Sequence, residues 1–209
     1  AAGVAWVVLQ PSSPAPTLAT TAAEQLPRLG LGNPVNGVLL GFRALDTLLE
    51  KVVLLLALIG VWSLAASGAS PGAPRVAAEP SHGSITLLGR VLPPIGLLFA
   101  FYLLWNSADH PGGAFASAAI LTAMALLLLM TGIIRLPSIA SRGLRLSVIA
   151  GPVVFIVVAF AGIVTTRAFL AYPDAWAKAL IIAIEVPLTI SVAVMLALLV
   201  AGPPVERTA

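Results

Sequence analysis

Two glutamates lie inside stretches of sequence that are otherwise apolar, and they are the residues best suited to chemistry. Glu50 lies about one turn into the stretch that ends at Ala66, and Glu185 lies inside the stretch from Ala177 to Ala201. With a helical rise of about 1.5 Å per residue, Glu185 would stand roughly 12 Å from the start of its helix. A carboxylate in such surroundings can take up and release a proton or a metal cation, and ionisable groups placed there at high cost are functional candidates by default.

Further polar groups surround Glu50 in the segment Asn33–Lys51, the densest polar segment of the chain. Arg43, Asp46 and Glu50 follow i, i+3, i+7 spacing, so neighbours in that series can touch on one helix. We predict that the segment forms one helix that continues into the apolar stretch. The candidate ion-path residues are Glu50, Asp46, Thr47, Glu185, Arg43, Lys51 and Lys178.

These groups also have a purely structural interpretation. Arg43 can pair with Asp46, and Glu50 can pair with a cationic group on a neighbouring helix. Glu185 can be satisfied by a serine, a threonine or a partner subunit only to fix the packing. The serines and threonines of the apolar stretches can bond to carbonyls of their own helices, and no role is assigned to them.

A polar break that contains proline and glycine, NSADHPGG at residues 106–113, separates two of the apolar stretches. Pro111, Gly112 and Gly113 predict a structural turn there, because glycine adopts backbone conformations closed to other residues. Asp109 and His110 are adjacent in this break, but no other histidine or carboxylate accompanies them. No metal site is predicted.

The composition indicates that lipid surrounds most of the chain. Of the 209 residues, 59% are hydrophobic and 9% charged, whereas a soluble domain carries roughly 25% charged residues. The mean hydropathy is +1.06. The basic residues are scattered, so no nucleic-acid partner is predicted. Without cysteine or a phosphate-binding, zinc-protease or nucleophile motif, neither an enzyme nor a cofactor is predicted.

The apolar stretches predict an all-α, polytopic transmembrane protein with about five complete transmembrane helices. Each stretch has about the 20 residues needed to cross a bilayer, and a helix satisfies its own backbone hydrogen bonds in lipid. The predicted spans are about Asp46–Ala66, Ile85–Trp105, Ala114–Ile134, Leu144–Thr165 and Ala177–Ala201. The short apolar run Ala1–Leu9 is interpreted as a partial N-terminal span, and Gln10–Gly32 as an extended loop.

The segment Asn33–Leu64, NPVNGVLLGFRALDTLLEKVVLLLALIGVWSL, resembles a piece near the C-terminus of the large A subunit of Mrp-type sodium/proton antiporters. The same piece occurs as a small separate subunit in membrane-bound hydrogenases. The residues that match its pattern are Asn33, Asn36, Phe42, Arg43, Asp46, Thr47 and Glu50. Gly41 departs from the pattern where Asp is usual, and Lys51 departs where an apolar residue is usual.

The segment Leu92–Gly132 is similar to the core of the Mrp B-subunit family, and its Pro111, Gly112, Gly113 and Phe115 match that family's turn. Lys178–Leu199 is similar to the family's last span around a membrane glutamate. The resemblance therefore implies a fusion in three parts. Residues 1–67 form an A-subunit-tail-like segment, 68–83 a Pro/Gly-rich linker, and 84–209 a B-subunit-like membrane domain of four helices.

The resemblance implies an accessory subunit that has neither a redox centre nor a nucleotide site. It also implies a multi-pass protein of the cell inner (plasma) membrane. Its implied partners are the lipid bilayer, large antiporter-like subunits, other small membrane subunits of the same complex, and Na+ and/or H+. The parent complex is an Mrp-type antiporter or the membrane arm of a related respiratory or hydrogenase complex. A purely structural scaffold and an independent secondary carrier stay open as alternatives.

Overall fold

The computed structural model describes residue 6 and residues 18–66, 83–134 and 141–202, with the backbone alone at residues 64–66. Within these residues the chain is helical and contains no strand. The helices are α1 (Leu18–Gln25), α2 (Pro34–Asn36), α3 (Ala44–Ala66), α4 (Ser84–Trp105), α5 (Ala114–Met130), α6 (Arg142–Thr166) and α7 (Ala177–Ala201). A 3-10 turn at Leu26–Leu29 follows α1, and a π-helical segment at Gly37–Phe42 follows α2.

The predicted all-α membrane fold is confirmed. Among the described residues, α4, α6 and α7 are long and apolar enough to cross a bilayer, at 22, 25 and 25 residues. Helix α5 is apolar but shorter, with 17 residues. Helix α3 has 23 residues and carries Asp46, Glu50 and Lys51 in its first turns. The total of five spans stays a prediction.

Helix α7 is the centre of the bundle. It packs against α6, α5 and α3, and its buried side chains run from Ala177 to Ala201. Helix α4 packs mainly on α5 and buries only Gly89 and Ala100, so its other apolar side chains face outwards. This arrangement places Glu185 on the most enclosed helix of the bundle.

Helices α6 and α7 pack closely together near Gly151 and Pro152. A Cβ atom at Gly151 would come within 2.9 Å of the Leu188 Cα atom, so only glycine permits this approach. Proline lacks an N–H group, so Pro152 leaves the Val148 carbonyl without its helical donor. The buried Ser191 hydroxyl on α7 donates to that carbonyl instead. No role was predicted for Ser191, but its hydroxyl group bonds to the facing helix because the proline frees an acceptor there.

We expect Ser191→Ala to destabilise the protein by about 0.6–1.7 kcal/mol, the range for hydrogen bonds between membrane helices. The variant leaves the Val148 carbonyl unpaired in a buried position. Thermal denaturation in detergent measures the effect. Ser147→Ala is the matched control, because the Ser147 hydroxyl bonds to Leu144 of its own helix at 2.8 Å. Equal losses in the two variants would contradict the interhelical role.

Two sequence predictions differ from the structure before α3. The predicted loop Gln10–Gly32 is helical over residues 18–29, because the alanine-rich run LATTAAEQ favours a helix; residues 10–17 lie outside the described part. The predicted continuous helix Asn33–Lys51 is broken at Arg43, whose φ and ψ are −124° and 36°. A π-helical segment is wider than an α-helix and marks such irregular points.

Two further predictions concern segment boundaries. Helix α5 ends at Met130 rather than Ile134, and Gly132 has a φ of 71°, which an α-helix does not accommodate. The predicted linker at residues 68–83 lies outside the described residues except for Gly83.

Candidate functional site

The candidate site forms where the turn before α5 meets the start of α2. Asn33 caps α2 with its side-chain oxygen, which accepts from the Val35 N–H group at 3.0 Å, as an N-cap asparagine does. Its amide nitrogen donates to the Ser107 and His110 carbonyls at 2.8 and 2.9 Å. The Gly32 and Asn33 N–H groups both donate to the Ala108 carbonyl, at 2.9 and 3.0 Å. These bonds hold α2 against the turn.

Glu185 lies beneath this junction and is 2% exposed. Its Oε2 atom accepts a hydrogen bond from the Ser107 hydroxyl at 2.6 Å and another from the Asn36 amide at 3.2 Å. Asn36 and Ser107 are themselves buried, at 4% and 1% exposure. Asn36 also donates to the Ser107 carbonyl at 3.0 Å, which fixes the two donors relative to each other. The structure therefore holds one oxygen of a buried carboxyl group in place.

A cavity of about 100 Å³ adjoins this carboxyl group. It lies between α2, α3, α7 and the start of α5, and several of the predicted ion-path residues line it. The polar side chains in its wall are Asn36, Thr47, Glu50, Lys51 and Glu185. The structure therefore brings Glu50, Thr47, Lys51 and Glu185 to one place, although Glu185 lies more than a hundred residues away in sequence.

Lys51 is the unexpected member of this cavity because its side chain is only 6% exposed. Its ammonium group lies 3.3 Å from Glu50 Oε2 and 5.3 Å from the centroid of the Phe115 ring. An ammonium group over an aromatic face is stabilised by the ring quadrupole. The Glu50 side chain is 62% exposed, so it reaches the outside of the bundle as well as the cavity wall.

Thr47 is buried, and its hydroxyl group is hydrogen-bonded to the segment that precedes α3. It donates to the Leu39 carbonyl in the π-helical segment at 2.6 Å. This bond ties the start of α3 to the irregular segment before it. Thr47 therefore shapes the cavity wall through the backbone as well as lining the cavity.

Three other candidate residues lie outside the cavity walls. Arg43 and Asp46 form an ion pair with each other, and their side chains are 70% and 49% exposed. This contact is the structural pairing that the i, i+3 spacing allowed. Lys178 forms an ion pair with Asp109 instead, at 2.8 Å to each carboxylate oxygen.

The pair of Lys178 and Asp109 joins the start of α7 to the turn before α5. The hydrogen bond from the Lys178 ammonium group lowers the pKa of Asp109 below its ordinary value of 3.8. Both side chains are partly exposed, at 41% and 50%. Because water screens such a pair, its stabilising effect is small, under about 1 kcal/mol.

We expect Asp109→Asn to lower the thermal stability slightly at neutral pH, and the difference from the wild type to vanish in acid. A carboxylate whose folded pKa is depressed contributes stability above its unfolded pKa and loses it as the pH falls through the folded pKa. The two melting temperatures should therefore converge below pH 3.8. A melting-temperature difference that is unchanged across this range would show that the ion pair contributes nothing.

The turn itself depends on two of its predicted glycines. A Cβ atom at Gly112 would stand 2.4 Å from the Leu103 carbonyl oxygen. Gly113 has a φ of 132°, which side chains with a Cβ atom rarely adopt, and its N–H group donates to the same carbonyl at 3.2 Å. Pro111 precedes them at an exposed position. This closure sets the positions of Ser107 and of the start of α5 around Glu185.

Asn36 and Phe115 belong to the sequence motifs, but no role at the site was predicted for either, and Ser107 was not predicted at all. The available signal for Ser107 was its place in the polar break that follows the apolar stretch ending at Trp105. Gly41 occupies the position where the resembled pattern has Asp, and a Cβ atom there would meet the Leu29 side chain at 2.3 Å. Leu29 therefore fills the space beside that position. In the described part of the chain, no cluster of His, Asp or Glu could hold a metal ion.

The helices and the buried carboxyl group define the class of protein: a polytopic α-helical membrane protein with a cavity that has ionisable side chains in its wall. A family model described as a domain related to the MnhB subunit of Na+/H+ antiporter matches residues 84–203. This match covers more than half of the chain, which therefore belongs to that family. Members of this family are components of transporters and are not enzymes.

The fold is also similar to part of one chain in the structure of the Mrp complex from Dietzia sp. DQ12-45-1b. The similarity has a TM-score of 0.71 at 25% sequence identity and covers 100% of this chain and 25% of that chain. The chain thus spans about a quarter of the length of the chain it matches. Among curated proteins, none matches at a significant level.

Proposed function

We propose that the chain is an accessory integral membrane part of a multisubunit Na+/H+ antiporter of the Mrp type and contributes to its ion path. The observation that carries this proposal is Glu185, a buried carboxyl group beside a polar cavity on the central helix. Family membership and the likeness to a chain of an Mrp complex support the type of complex. Burial of a carboxylate in a membrane protein is costly, and such groups mark ion paths.

The proposed path enters at Glu50 and continues through the cavity to Glu185. Glu50 is suited to the entrance because it is largely exposed and also lines the cavity. Thr47 and Lys51 line the passage between them. Arg43, Asp46 and Lys178 lie outside it in ion pairs, so smaller effects on transport are expected from them.

Neighbouring subunits complete the path in this proposal. The cavity wall carries only three ionisable side chains, those of Glu50, Lys51 and Glu185, and they form no continuous row across a bilayer within the part of the chain that the structure describes. The outward-facing apolar side chains of α4 fit lipid or other membrane subunits. The proposed location is the plasma membrane, and the proposed division of the chain is 1–67, 68–83 and 84–209, with the family match starting at residue 84.

A scaffold role is the second candidate, because the hydrogen bonds from Ser107 and Asn36 to Glu185 would also serve packing alone. Na+-driven proton movement by Glu185→Gln, measured in membrane vesicles with equal amounts of assembled complex, separates the candidates. An ion-path role predicts normal assembly and reduced antiport, whereas a scaffold role predicts normal antiport by the complexes that assemble. Antiport that persists without the chain contradicts the proposal. Transport by the chain alone in liposomes would instead support an independent carrier.

A further inference from the structure

Lys51 places a positive charge in the wall of the cavity through which the proposed ion path runs. Its side chain is 6% exposed and lines the same cavity as Glu50 and Glu185. The only hydrogen bond of its ammonium group within the described residues is to Glu50 Oε2, at 3.3 Å. The Phe115 ring lies 5.3 Å from the ammonium group and covers its apolar side.

The opposite wall of the cavity carries the carboxyl group of Glu185. Both side-chain hydrogen bonds to Glu185 from Ser107 and Asn36 reach the Oε2 atom, and the Ala114 backbone N–H group also bonds to the carboxyl group. A carboxylate has about four lone-pair sites, so these three donors leave it able to accept one further ligand. Hard cations take oxygen ligands, and carboxylate oxygens are among them. The cavity of about 100 Å³, which both glutamates line, has room for a small cation.

From this arrangement, we propose that Lys51 is a tethered cation that keeps Na+ out of the Glu50–Glu185 cavity, so that the cavity in this chain serves protons. The inference rests on the proposed ion path through these two glutamates. A metal ion entering the cavity would have to lie near the Lys51 ammonium group, and repulsion between like charges is strong where water is scarce. Lys51 would thus determine the ion specificity of this part of the path.

Removal of the lysine charge should open a Na+ site. In the intact complex, Lys51→Met keeps the length and volume of the side chain but leaves the two glutamates without their internal cation. Equilibrium binding of radioactive Na+ to the purified complex should rise relative to the wild type by one ion for each complex, because each copy of the chain would gain one site. Lys51→Arg is the matched control and should bind no additional ion, because it retains the charge.

The double variant Lys51→Met with Glu185→Gln locates the additional ion. It should lose the gain in binding if the ion lies between the two glutamates. No gain in Lys51→Met, or an equal gain in Lys51→Arg, would overturn the proposal. If Lys51→Met does not assemble, Lys51→Gln, which keeps a donor towards Glu50, is compared in the same way.

These measurements separate this inference from the proposed function. If Glu185→Gln abolishes antiport but Lys51→Met binds no further Na+, the ion path stands and the role of Lys51 does not. The opposite result is also informative. If Glu185→Gln leaves antiport unchanged while Lys51→Met binds an additional Na+ ion that the double variant does not bind, the cavity of the lysine variant binds cations but the cavity does not conduct ions. The proposed path would then be wrong and the charge of Lys51 would still exclude Na+.

Discussion

Replacing Glu185 by glutamine is expected to reduce Na+-driven proton antiport by the intact complex at least about tenfold. An interaction between unit charges about 4 Å apart at an effective dielectric constant near 20 is worth about 4 kcal/mol. Loss of a third of that energy lowers the occupancy of a proton that is attracted to residue 185 about tenfold. The amide cannot ionise, so it cannot carry the proton.

Assembly should survive this change. Glutamine keeps an oxygen that can accept the hydrogen bonds from Ser107 and Asn36, which now reach Glu185 Oε2 at 2.6 and 3.2 Å. Antiport is measured in vesicles with equal amounts of assembled complex. Asp46→Asn is the comparison variant, because it removes a carboxylate that is half exposed and paired with Arg43. Its effect should stay within about twofold, since water screens an exposed ion pair.

The outcome distinguishes a conducting residue from a packing residue. A conductor loses flux and keeps assembly, whereas a scaffold residue loses assembly. If Glu185→Gln transports as fast as the wild type at equal assembly, Glu185 is a packing residue and the proposed path is wrong. Glu50→Gln, which changes the proposed entrance, should weaken antiport without affecting the hydrogen bonds around Glu185.

The second large effect is expected at Gly112, where Gly112→Ala should destabilise the protein by about 3 kcal/mol. The new Cβ atom would stand 2.4 Å from the Leu103 carbonyl oxygen, which is backbone and cannot move aside cheaply. For a chain of this size, the loss corresponds to a fall in melting temperature of roughly 6–12 °C. Thermal denaturation in detergent, followed by the loss of the folded monodisperse fraction, measures it.

Gly60→Ala is the matched control for Gly112→Ala. Gly60 lies within α3, and a Cβ atom there would meet nothing within 4 Å. Alanine also has a higher helix propensity than glycine, so this variant should be neutral or slightly stabilising. Equal destabilisation by the two variants would contradict the close contact between Gly112 and Leu103. Because the turn positions Ser107 near Glu185, Gly112→Ala should also reduce antiport by the complexes that do assemble.

The helical fold could be predicted from the sequence because lipid leaves the backbone few alternatives. Long apolar stretches indicated the helices, and α4 and α7 match their predicted spans to within one residue at either end. Glu185 could be singled out for the same reason, since a carboxylate is rare in an apolar helix. These predictions depend only on local composition.

The contacts of the site could not be predicted because they join distant parts of the chain. Lys178 pairs with Asp109, 69 positions away in sequence. Asn36 reaches Glu185 across 149 positions. Nothing in the local pattern indicates which loop approaches which helix, so only the packed structure shows these partners.

The break at Arg43 also escaped prediction, for a local reason. The apolar and polar positions of Asn33–Lys51 fit a helix, and the periodicity alone favoured one continuous element. Gly37 and Gly41 lower the helix propensity of the segment, and the Leu26 and Leu29 side chains pack where their Cβ atoms would be. The 3-10 turn therefore packs against two glycines of the π-helical segment.

Membership of a multisubunit antiporter can be tested by purifying this chain through a tag in mild detergent and identifying the proteins that accompany it. We expect large antiporter-like membrane subunits and small membrane subunits, without iron–sulfur proteins. Iron–sulfur or hydrogenase-type subunits would place the chain in a redox-driven complex instead. A chain that purifies alone and remains stable in several detergents would contradict membership of a multisubunit antiporter.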